Sequence, residues 1–225
     1  MTLPPSLWRK RPTELCQLAR DWQGEGGGLV EQKHDGWRFL WIRGQAFTRN
    51  GMPFRGIGHV ERALAHLQRH ISRPMFFDGE FVVGTGLHTL AQTKAHQDRG
   101  WRDGDAGTLW LFDAVPLDEW EADDCPTPLL QRKQALQRTY DRMLADPLSW
   151  EFGWGDGIAC PIQIAGHQIA ESARQVRTMA CDIWEQGGEG VMVKDPASLY
   201  RRNRNDDWQK LRIDIEKRGK TYERF

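Results

Sequence analysis

The chain has 225 residues and carries 31 lysines and arginines against 31 aspartates and glutamates, so its formal net charge is zero. This length fits one large domain or two small ones. The neutral balance excludes a protein that is held to nucleic acid by excess positive charge alone. Hydrophobic residues make up 39% of the chain, which is enough to fill a core and excludes a disordered protein.

The sequence carries no recognisable membrane or secretion signal. Its mean hydropathy is −0.66, and no apolar run approaches the length of about 18 residues that a transmembrane helix needs. The N-terminal stretch lacks the apolar core of a signal peptide. The four cysteines include no CxxC pair, which argues against a zinc site or a disulfide framework. We therefore expect a soluble, cytoplasmic, monomeric protein without membrane contacts.

Apolar periodicity and turn residues predict strands and helices in alternation. The predicted strands are Leu29–Lys33, Trp37–Ile42, Gln45–Thr48, Met75–Val83, Thr108–Val115, Gly190–Lys194 and Asp207–Ile215. The predicted helices are Ile57–His70, Leu87–Gln97, Leu129–Leu144 and Ile169–Trp184. This order predicts an α+β fold of mainly antiparallel sheets with helices packed outside. Several of the apolar strands contain charged residues, and these need an explanation.

The first charged cluster surrounds Lys33, at the end of a strand and before a turn at Asp35 and Gly36. One interpretation is a strand end that faces solvent. The cluster also suits covalent nucleotidyl transfer, in which a lysine amine attacks phosphorus. The attacking amine must be neutral, and nearby cations with partial desolvation favour that form. Lys33 is therefore a candidate nucleophile.

Two further clusters place acids and an aromatic ring in apolar strands. Asp78 and Glu80 must be paired, hydrogen-bonded or metal-bound if they are buried. Alternatively, Asp78 and Gly79 form a hairpin turn and leave Glu80 exposed. Hard carboxylate oxygens in a pocket would suit Mg²⁺ or a ribose hydroxyl. Phe112 is either a core residue or a ring that stacks on a base.

The last two clusters combine acids and cations in strands. Glu189 and Lys194 are five positions apart, so a regular strand would point them in opposite directions. A bulge, or a site at the strand mouth, would be needed to unite them. Lys210 and Arg212 share one face of a predicted strand. This face is either solvated or suited to a phosphate.

In their order along the chain, these clusters resemble the motifs of the covalent nucleotidyltransferases, which comprise ATP-dependent DNA ligases, RNA ligases and mRNA capping enzymes. The matching segments are Glu31-x-Lys33-x-Asp35-Gly36-x-Arg38 (motif I), Thr48-Arg49-Asn50-Gly51, Asp78-Gly79-Glu80 (motif III), Phe112-Asp113 (motif IIIa), Glu189–Lys194 (motif IV) and Trp208–Arg212 (motif V). The details are most similar to ATP-dependent DNA ligases, and the segment from Asp78 to Lys94 resembles small phage ligases. The resemblance implies the nucleotidyltransferase (ATP-grasp-like) core.

The resemblance also implies a role for each matching residue. Lys33 would attack the α-phosphorus of ATP to form lysyl-AMP, and Mg²⁺ or Mn²⁺ would assist. The implied nucleotide-binding residues are Glu31 and Gln32 (adenine), Phe112 (stacking on the base), Arg38 and Glu80 (ribose and phosphate), Arg49, Lys194, Lys210 and Arg212 (phosphates). The implied metal positions are Glu80 and Glu189.

The implied partner is nicked duplex DNA with a 5′-phosphate and a 3′-hydroxyl. Arg49 would contact the nucleotide or the 5′-phosphate of the nick. Arg201, Arg202 and Arg204 form a short basic patch that is either a solvated loop or a set of DNA phosphate contacts.

Two departures from the family pattern bear on this interpretation. Arg212 stands where motif V usually has a second lysine, which keeps the charge but changes the geometry. Only 13 residues follow Arg212, whereas an OB-fold domain of about a hundred residues follows motif V in the family. We expect a lead-in over residues 1–28, an adenylyltransferase domain over 29–215, a tail over 216–225 and no OB-fold.

The sequence therefore predicts a minimal ATP-dependent DNA ligase. Two alternatives remain open. One is an RNA ligase or another enzyme that forms a lysyl-nucleotide intermediate. The other is a nick-binding module that depends on a partner, such as an OB-fold or clamp protein, for adenylylation.

Overall fold

The computed structural model describes residues 11–99 and 106–223. The strands of this part are β1 (Leu18–Asp21), β2 (Gly28–Lys33), β3 (Trp37–Ile42), β4 (Gln45–Thr48), β5 (Met75–Val82), β6 (Thr108–Pro116), β7 (Ile162–Ile164), β8 (His167–Ala170), β9 (Gly190–Lys194) and β10 (Arg204–Arg212). The α-helices are α1 (Gly58–Arg69), α2 (Thr89–Arg99), α3 (Leu117–Ala122), α4 (Leu129–Ala145), α5 (Pro147–Glu151) and α6 (Ala173–Glu185).

The strands form two five-stranded sheets. The first sheet has the order β1-β10-β9-β2-β8, and the second has the order β4-β3-β5-β6-β7. β1 pairs with β10 in parallel, as does β6 with β7, and the other pairings are antiparallel. The predicted α+β fold of mainly antiparallel sheets with flanking helices is confirmed.

Three apolar clusters fix the order of the layers. One joins α6 to β2, β8 and β9 through residues such as Val176 and Val191. A second lies between the two sheets and includes Leu29 and Phe76. The third lies between the second sheet and the helices α1 and α4, and Leu64 belongs to it. The two sheets therefore face each other, with helices on both outer surfaces.

The structure corrects the predicted helix Ile169–Trp184. Its first residues form strand β8 instead, where Ile169 is 53% exposed. Helix α6 begins at Ala173, because the Ser172 hydroxyl caps it by accepting a hydrogen bond from the Gln175 N–H at 3.4 Å. The spacing of Ile169 and Ala173 fitted a helix, but the capping serine divides the segment.

Other differences concern short elements and strand ends. Strand β1, in the segment expected as a lead-in, was not predicted, and neither were α3, α5 and β7. The last strand ends at Arg212 rather than at Ile215. The alternative of a hairpin at Asp78 and Gly79 is wrong, because β5 runs through both residues. Within the described residues, no helix combines the length and the apolar character needed to cross a membrane.

Candidate active site

A cleft of about 1000 Å³ opens where the two sheets face each other. It collects the predicted residues of every motif, since its lining includes Glu31, Gln32, Lys33, Arg38, Arg49, Glu80, Phe112, Glu189, Lys194, Arg204, Lys210 and Arg212. Residues from both sheets therefore share one cavity although they are spread over most of the chain.

Lys33 is the last residue of β2 and pairs in register with Gly190 of β9. Its Nζ atom contacts the Glu189 carboxylate, which precedes β9 and is buried. Gly190 has φ +148°, and a Cβ there would lie 2.0 Å from the Leu211 carbonyl oxygen. Only glycine fits between the strands at this point. The register of β2 and β9 places Glu189, the neighbour of Gly190, beside Lys33.

Glu189 and Lys194 both line the cleft in spite of their five-residue separation. Strand β9 begins at Gly190, so Glu189 lies outside it and is not bound by the alternation of the strand. Of the two possibilities, a bulge in the strand or a site at the strand mouth, the structure has the second.

Glu31 is buried at the base of the cleft between two lysines. It pairs with Lys194 at 2.5 Å and also with Lys133. Burial alone would raise the pKa of Glu31, but the two ammonium groups outweigh it and hold this pKa below its usual value. Burial also lowers the pKa of Lys194, and Glu31 opposes that shift. These three residues form a buried charged triad.

Lys133 was not predicted as part of the site. It lies on α4, it is 1% exposed, and its Nζ also donates to the Ala165 carbonyl oxygen at 3.1 Å. The buried stripe of α4 includes Leu129, Leu136 and Met143, and Lys133 adjoins that stripe by helical spacing. The feature of the sequence that could have identified Lys133 is its position beside the apolar stripe of a helix.

Arg38 lines the cleft, and Asp78 holds its guanidinium in place. Its Nε and Nη2 atoms donate to the two Asp78 carboxylate oxygens at 2.5 and 2.6 Å. Tyr200 donates its hydroxyl proton to the same carboxylate at 2.7 Å. The Arg38 guanidinium also lies 4.6 Å from the centre of the Phe112 ring. Burial raises the pKa of Asp78, and Arg38 and Tyr200 oppose this shift, so the partners reduce the cost of burying the carboxylate.

Phe112 occupies an irregular position in β6. Asp78 of β5 pairs with Asp113 and Gly79 pairs with Leu111, so Phe112 is an extra residue in the ladder. Such a bulge redirects a side chain, and the Phe112 ring lines the cleft. Lys194 Nζ lies 4.5 Å from its centre. Neither the bulge nor its effect could be read from the alternation of β6.

Glu80 is the second carboxylate near Lys33. Burial raises its pKa to about 7, Lys33 and Arg38 oppose the rise, and the Glu189 carboxylate adds to it. Glu80 lies opposite Arg38 in the register of β5 and β3. Two carboxylates that face one lysine supply the hard oxygen donors that Mg²⁺ and Mn²⁺ prefer. The side chains of this part of the cleft fit a divalent cation.

Basic residues of β10 in the first sheet and of the turn after β4 in the second sheet also line the cleft. Lys210 lies 3.4 Å from Asp21, and Arg212 lies 3.9 Å from Glu189. Arg49 is exposed at the turn and lines the same cavity. These cations suit the phosphate groups of a nucleotide or of a nucleic acid.

The predicted basic patch is divided by the structure. Arg204 lines the cleft and donates to the Ala19 carbonyl oxygen at 2.7 Å. Arg201 and Arg202 are not part of the cleft lining of the described residues. Arg201 pairs with Asp124 at 3.2 Å, and Arg202 lies 3.5 Å from Asp123 with its guanidinium over Trp120. Their contacts tie the segment before β10 to the end of α3.

Two more contacts at the cleft had no signal in the sequence. The His34 ring stacks on Trp110 with centroids 4.4 Å apart, and burial lowers the pKa of His34 to about 4. Arg218 donates to the Asp35 carboxylate at 2.8 Å. The segment expected as a tail therefore contacts the turn that follows Lys33.

Two facing sheets with a shared cleft fit the nucleotidyltransferase core that the sequence motifs predict. Comparison with known proteins narrows this class. The family model of the ATP dependent DNA ligase domain matches residues 15–212. The chain therefore belongs to the ATP-dependent DNA ligase family.

Individual proteins are similar to this chain in sequence or in fold, and the chain spans less than a quarter of the first of them. The chain is 28% identical to the multifunctional non-homologous end joining protein LigD of Pseudomonas aeruginosa over 213 residues, which are 90% of this chain and 22% of that protein. The solved structure Pmar-Lig_PreS3 superposes with a TM-score of 0.71 at 21% identity, over 88% of this chain and 46% of that one. The ATP-dependent DNA ligase of bacteriophage T7 in complex with ATP superposes with a TM-score of 0.64 at 17% identity, over 88% of this chain and 68% of that one.

Proposed function

We propose that the chain joins nicked DNA in an ATP-dependent reaction with Lys33 as the nucleophile. The observation that carries this proposal is the contact of Lys33 Nζ with Glu189 in a cleft that also collects Glu80, Lys210 and Arg212. Glu189 is placed to accept the proton that the amine must lose before it attacks. Relatives that are named for DNA ligation and for end joining support DNA as the substrate.

The reaction has three displacements at phosphorus. Neutral Lys33 Nζ bonds to the α-phosphorus of ATP, and the bond to the pyrophosphate oxygen breaks. A 5′-phosphate oxygen of the nick then bonds to the AMP phosphorus, and the bond to Lys33 breaks. Finally the 3′-hydroxyl loses its proton and bonds to the 5′-phosphorus, and AMP leaves. Each step needs in-line positioning and stabilisation of negative charge.

The charged residues of the cleft divide these tasks. Lys194, Lys210 and Arg212 would contact phosphate oxygens and stabilise the charge that develops on them. The backbone of Glu31 and Gln32 would bind adenine, and the Phe112 ring would stack on it. The Lys133–Glu31–Lys194 triad would hold this part of β2 and β9 in place.

A divalent cation, Mg²⁺ or Mn²⁺, fits the carboxylates of Glu80 and Glu189. When bound, it would neutralise negative charge on the phosphate oxygens. Arg38, held by Asp78, would orient the ribose side of the nucleotide. Arg49 and Arg204, which line the cleft, are the arginines that we propose for contact with DNA phosphates.

The first test is the mass of the protein after incubation with ATP and Mg²⁺. We expect one AMP per chain, attached at Lys33 as located by peptide mapping. Lys33→Ala should abolish the adduct, whereas Lys217→Ala removes an exposed lysine and should keep it. An adduct that survives in Lys33→Ala, or an intact fold without any adduct in the unsubstituted chain, contradicts the proposed nucleophile.

The second test separates the joining step from lysine adenylylation. We expect the chain to seal a nicked DNA duplex that already carries the 5′-adenylate, and to seal it faster than the matched RNA nick. Preference for the RNA nick would favour the RNA ligase alternative. Tight nick binding without sealing of either substrate would favour the binding-module alternative.

A further inference from the structure

A second group of metal-ligand side chains lies outside the cleft. His66 is on α1, His70 follows the end of that helix, and Asp146 lies between α4 and α5. One ligand atom from each of the three residues lies within 4.8 Å of the others. Histidines four positions apart on a helix point in the same direction. Among the described residues that line the cleft, none belongs to this group.

Asp146 and His70 present atoms that are available to a ligand. Asp146 Oδ1 caps α5 by accepting a hydrogen bond from the Leu148 N–H at 2.9 Å. Its other oxygen, Oδ2, lies 3.5 Å from His70 Nε2. This nitrogen is buried and has no hydrogen-bond partner among the described residues. A buried polar atom without a partner is unfavourable, and coordination of an ion would remove that cost.

The hydrogen bonds of His66 fix the tautomer of its ring. Ser149 Oγ donates its one proton to the Met143 carbonyl oxygen at 2.6 Å. It must therefore accept from His66 Nε2, which lies 3.0 Å away. The proton is then on Nε2, and the lone pair is on Nδ1. Histidines that bind metals are oriented in this way by a hydrogen bond from the other ring nitrogen.

The lone pair of His66 Nδ1 currently contacts Arg69. The Arg69 Nη2 atom is the partner of this nitrogen, and the Arg69 side chain is exposed. Arg69 lies in the last turn of α1 and can swing into water. A second cation, Arg142, donates to the His70 carbonyl oxygen at 3.3 Å. The guanidinium of Arg69 therefore acts as a competitor for the position that an ion would take.

We propose that His66, His70 and Asp146 form a Zn²⁺ site that links the end of α1 to the junction of α4 and α5. Two imidazole nitrogens and one carboxylate suit Zn²⁺, whereas Mg²⁺ and Ca²⁺ prefer oxygen donors alone. Three protein ligands leave a fourth position for water. The donor chemistry thus separates this site from the carboxylates of the cleft. The proposed ion holds helices together and takes no part in the joining reaction.

The test is a calorimetric Zn²⁺ titration of the full chain without a histidine tag, in excess Mg²⁺. In a parallel titration, Co²⁺ replaces Zn²⁺ and its visible absorption reports the ligands. We expect one Zn²⁺ per chain and, at a hundredfold excess over the Kd, a rise in Tm of roughly 5–10 °C. His70→Gln and Asp146→Asn should each weaken binding by about tenfold or more. His88→Gln removes an exposed histidine and should leave binding unchanged.

Arg69→Gln provides a test that loss of folding cannot imitate. Removal of the competing guanidinium should tighten Zn²⁺ binding, because the His66 lone pair no longer has to be released. Absence of Zn²⁺ binding, or binding that His70→Gln and Asp146→Asn leave unchanged, overturns the proposal. Binding that is lost in Glu80→Gln and kept in His70→Gln would assign the ion to the cleft and overturns it as well.

Discussion

The enclosed charges of the second sheet and the partly exposed charges of the first sheet are used in different ways. In the second sheet, the carboxylates of Asp78 and Asp113 are adjacent in the ladder of β5 and β6, and each is neutralised by an arginine. In the first sheet, Lys33 and Lys210 are about a quarter exposed on the cleft side. Charges of the second sheet that are fully enclosed with a partner hold the fold. The partly exposed charges on the cleft side of the first sheet remain available to a ligand.

This difference shows why burial is a better guide to a residue's role than charge. Asp113 and Arg132 are 0% and 2% exposed in their side chains, and both hydrogen bonds between them measure 2.8 Å. Arg132 also donates to the carbonyl oxygens of Thr127 and Ser198. The pair therefore joins β6, α4 and the segment after β9, and neither residue is among those that line the cleft.

The largest expected effect follows from removal of one partner of this pair. Asp113→Asn leaves the Arg132 guanidinium buried without its counter-charge, which should lower the free energy of unfolding by about 3–5 kcal/mol. Urea denaturation measures the loss. The matched control is Asp206→Asn, because Asp206 pairs with Arg20 on the surface, and a change within about 1 kcal/mol is expected there.

A double variant makes this prediction sharper. Replacement of the whole pair by Asp113→Leu and Arg132→Met removes both charges together, so the loss should be smaller than the sum of the two single losses. If the double variant loses the sum of the two single losses, the pair is not an isolated unit and the comparison between the sheets is wrong.

The second prediction concerns Lys210, on the cleft side of the first sheet. Lys210→Ala should slow lysine adenylylation by about 100-fold, since one cation that stabilises developing phosphate charge is lost. Its partner Asp21 is 80% exposed, so the free energy of unfolding should change by less than about 1 kcal/mol. Single-turnover adenylylation and urea denaturation are measured on the same preparation. A stability loss comparable with that of Asp113→Asn would place Lys210 in the scaffold.

Much of the cleft could be predicted from the sequence because its chemistry is local. Motif I brings Lys33, its strand and its turn together within a few residues, and Lys210 with Arg212 shares a strand face by simple alternation. The contacts that hold the cleft residues in place could not be predicted in this way. Lys133 reaches Glu31 only through the packing of α4 on the second sheet, and Arg218 reaches Asp35 only when the chain folds back.

The same limit applies to secondary structure. The segment from Ile169 to Ala173 satisfies both a helical and a strand pattern, and the pairing of β8 with β2 decides between them. Strand β1 is four residues long and is defined by its pairing with β10. His66, His70 and Asp146 form a cluster only because α1 packs near the junction of α4 and α5. Such contacts depend on tertiary structure, for which periodicity contains no signal.

The smallest expected effect concerns Glu80, a carboxylate of the second sheet that lines the cleft. Burial raises the pKa of Glu80 in the folded chain to about 7 from its ordinary value of 4.5. Between these two values the folded state holds a proton that the unfolded state has released. The free energy of unfolding should therefore fall as the pH rises from about 4.5 to 7, and stay level above that, because the linkage slope follows the difference in bound protons.

Glu80→Gln should lack this decline, because the amide carries no titrating proton. Relative to the unsubstituted chain, the variant should gain on the order of 2 kcal/mol between pH 5 and pH 8 in the absence of divalent metal. Added Mg²⁺ should reduce the gain, since a cation favours the charged carboxylate. A stability difference that does not depend on pH would mean that Glu80 ionises normally and, like Lys33 and Lys210, is available to a ligand.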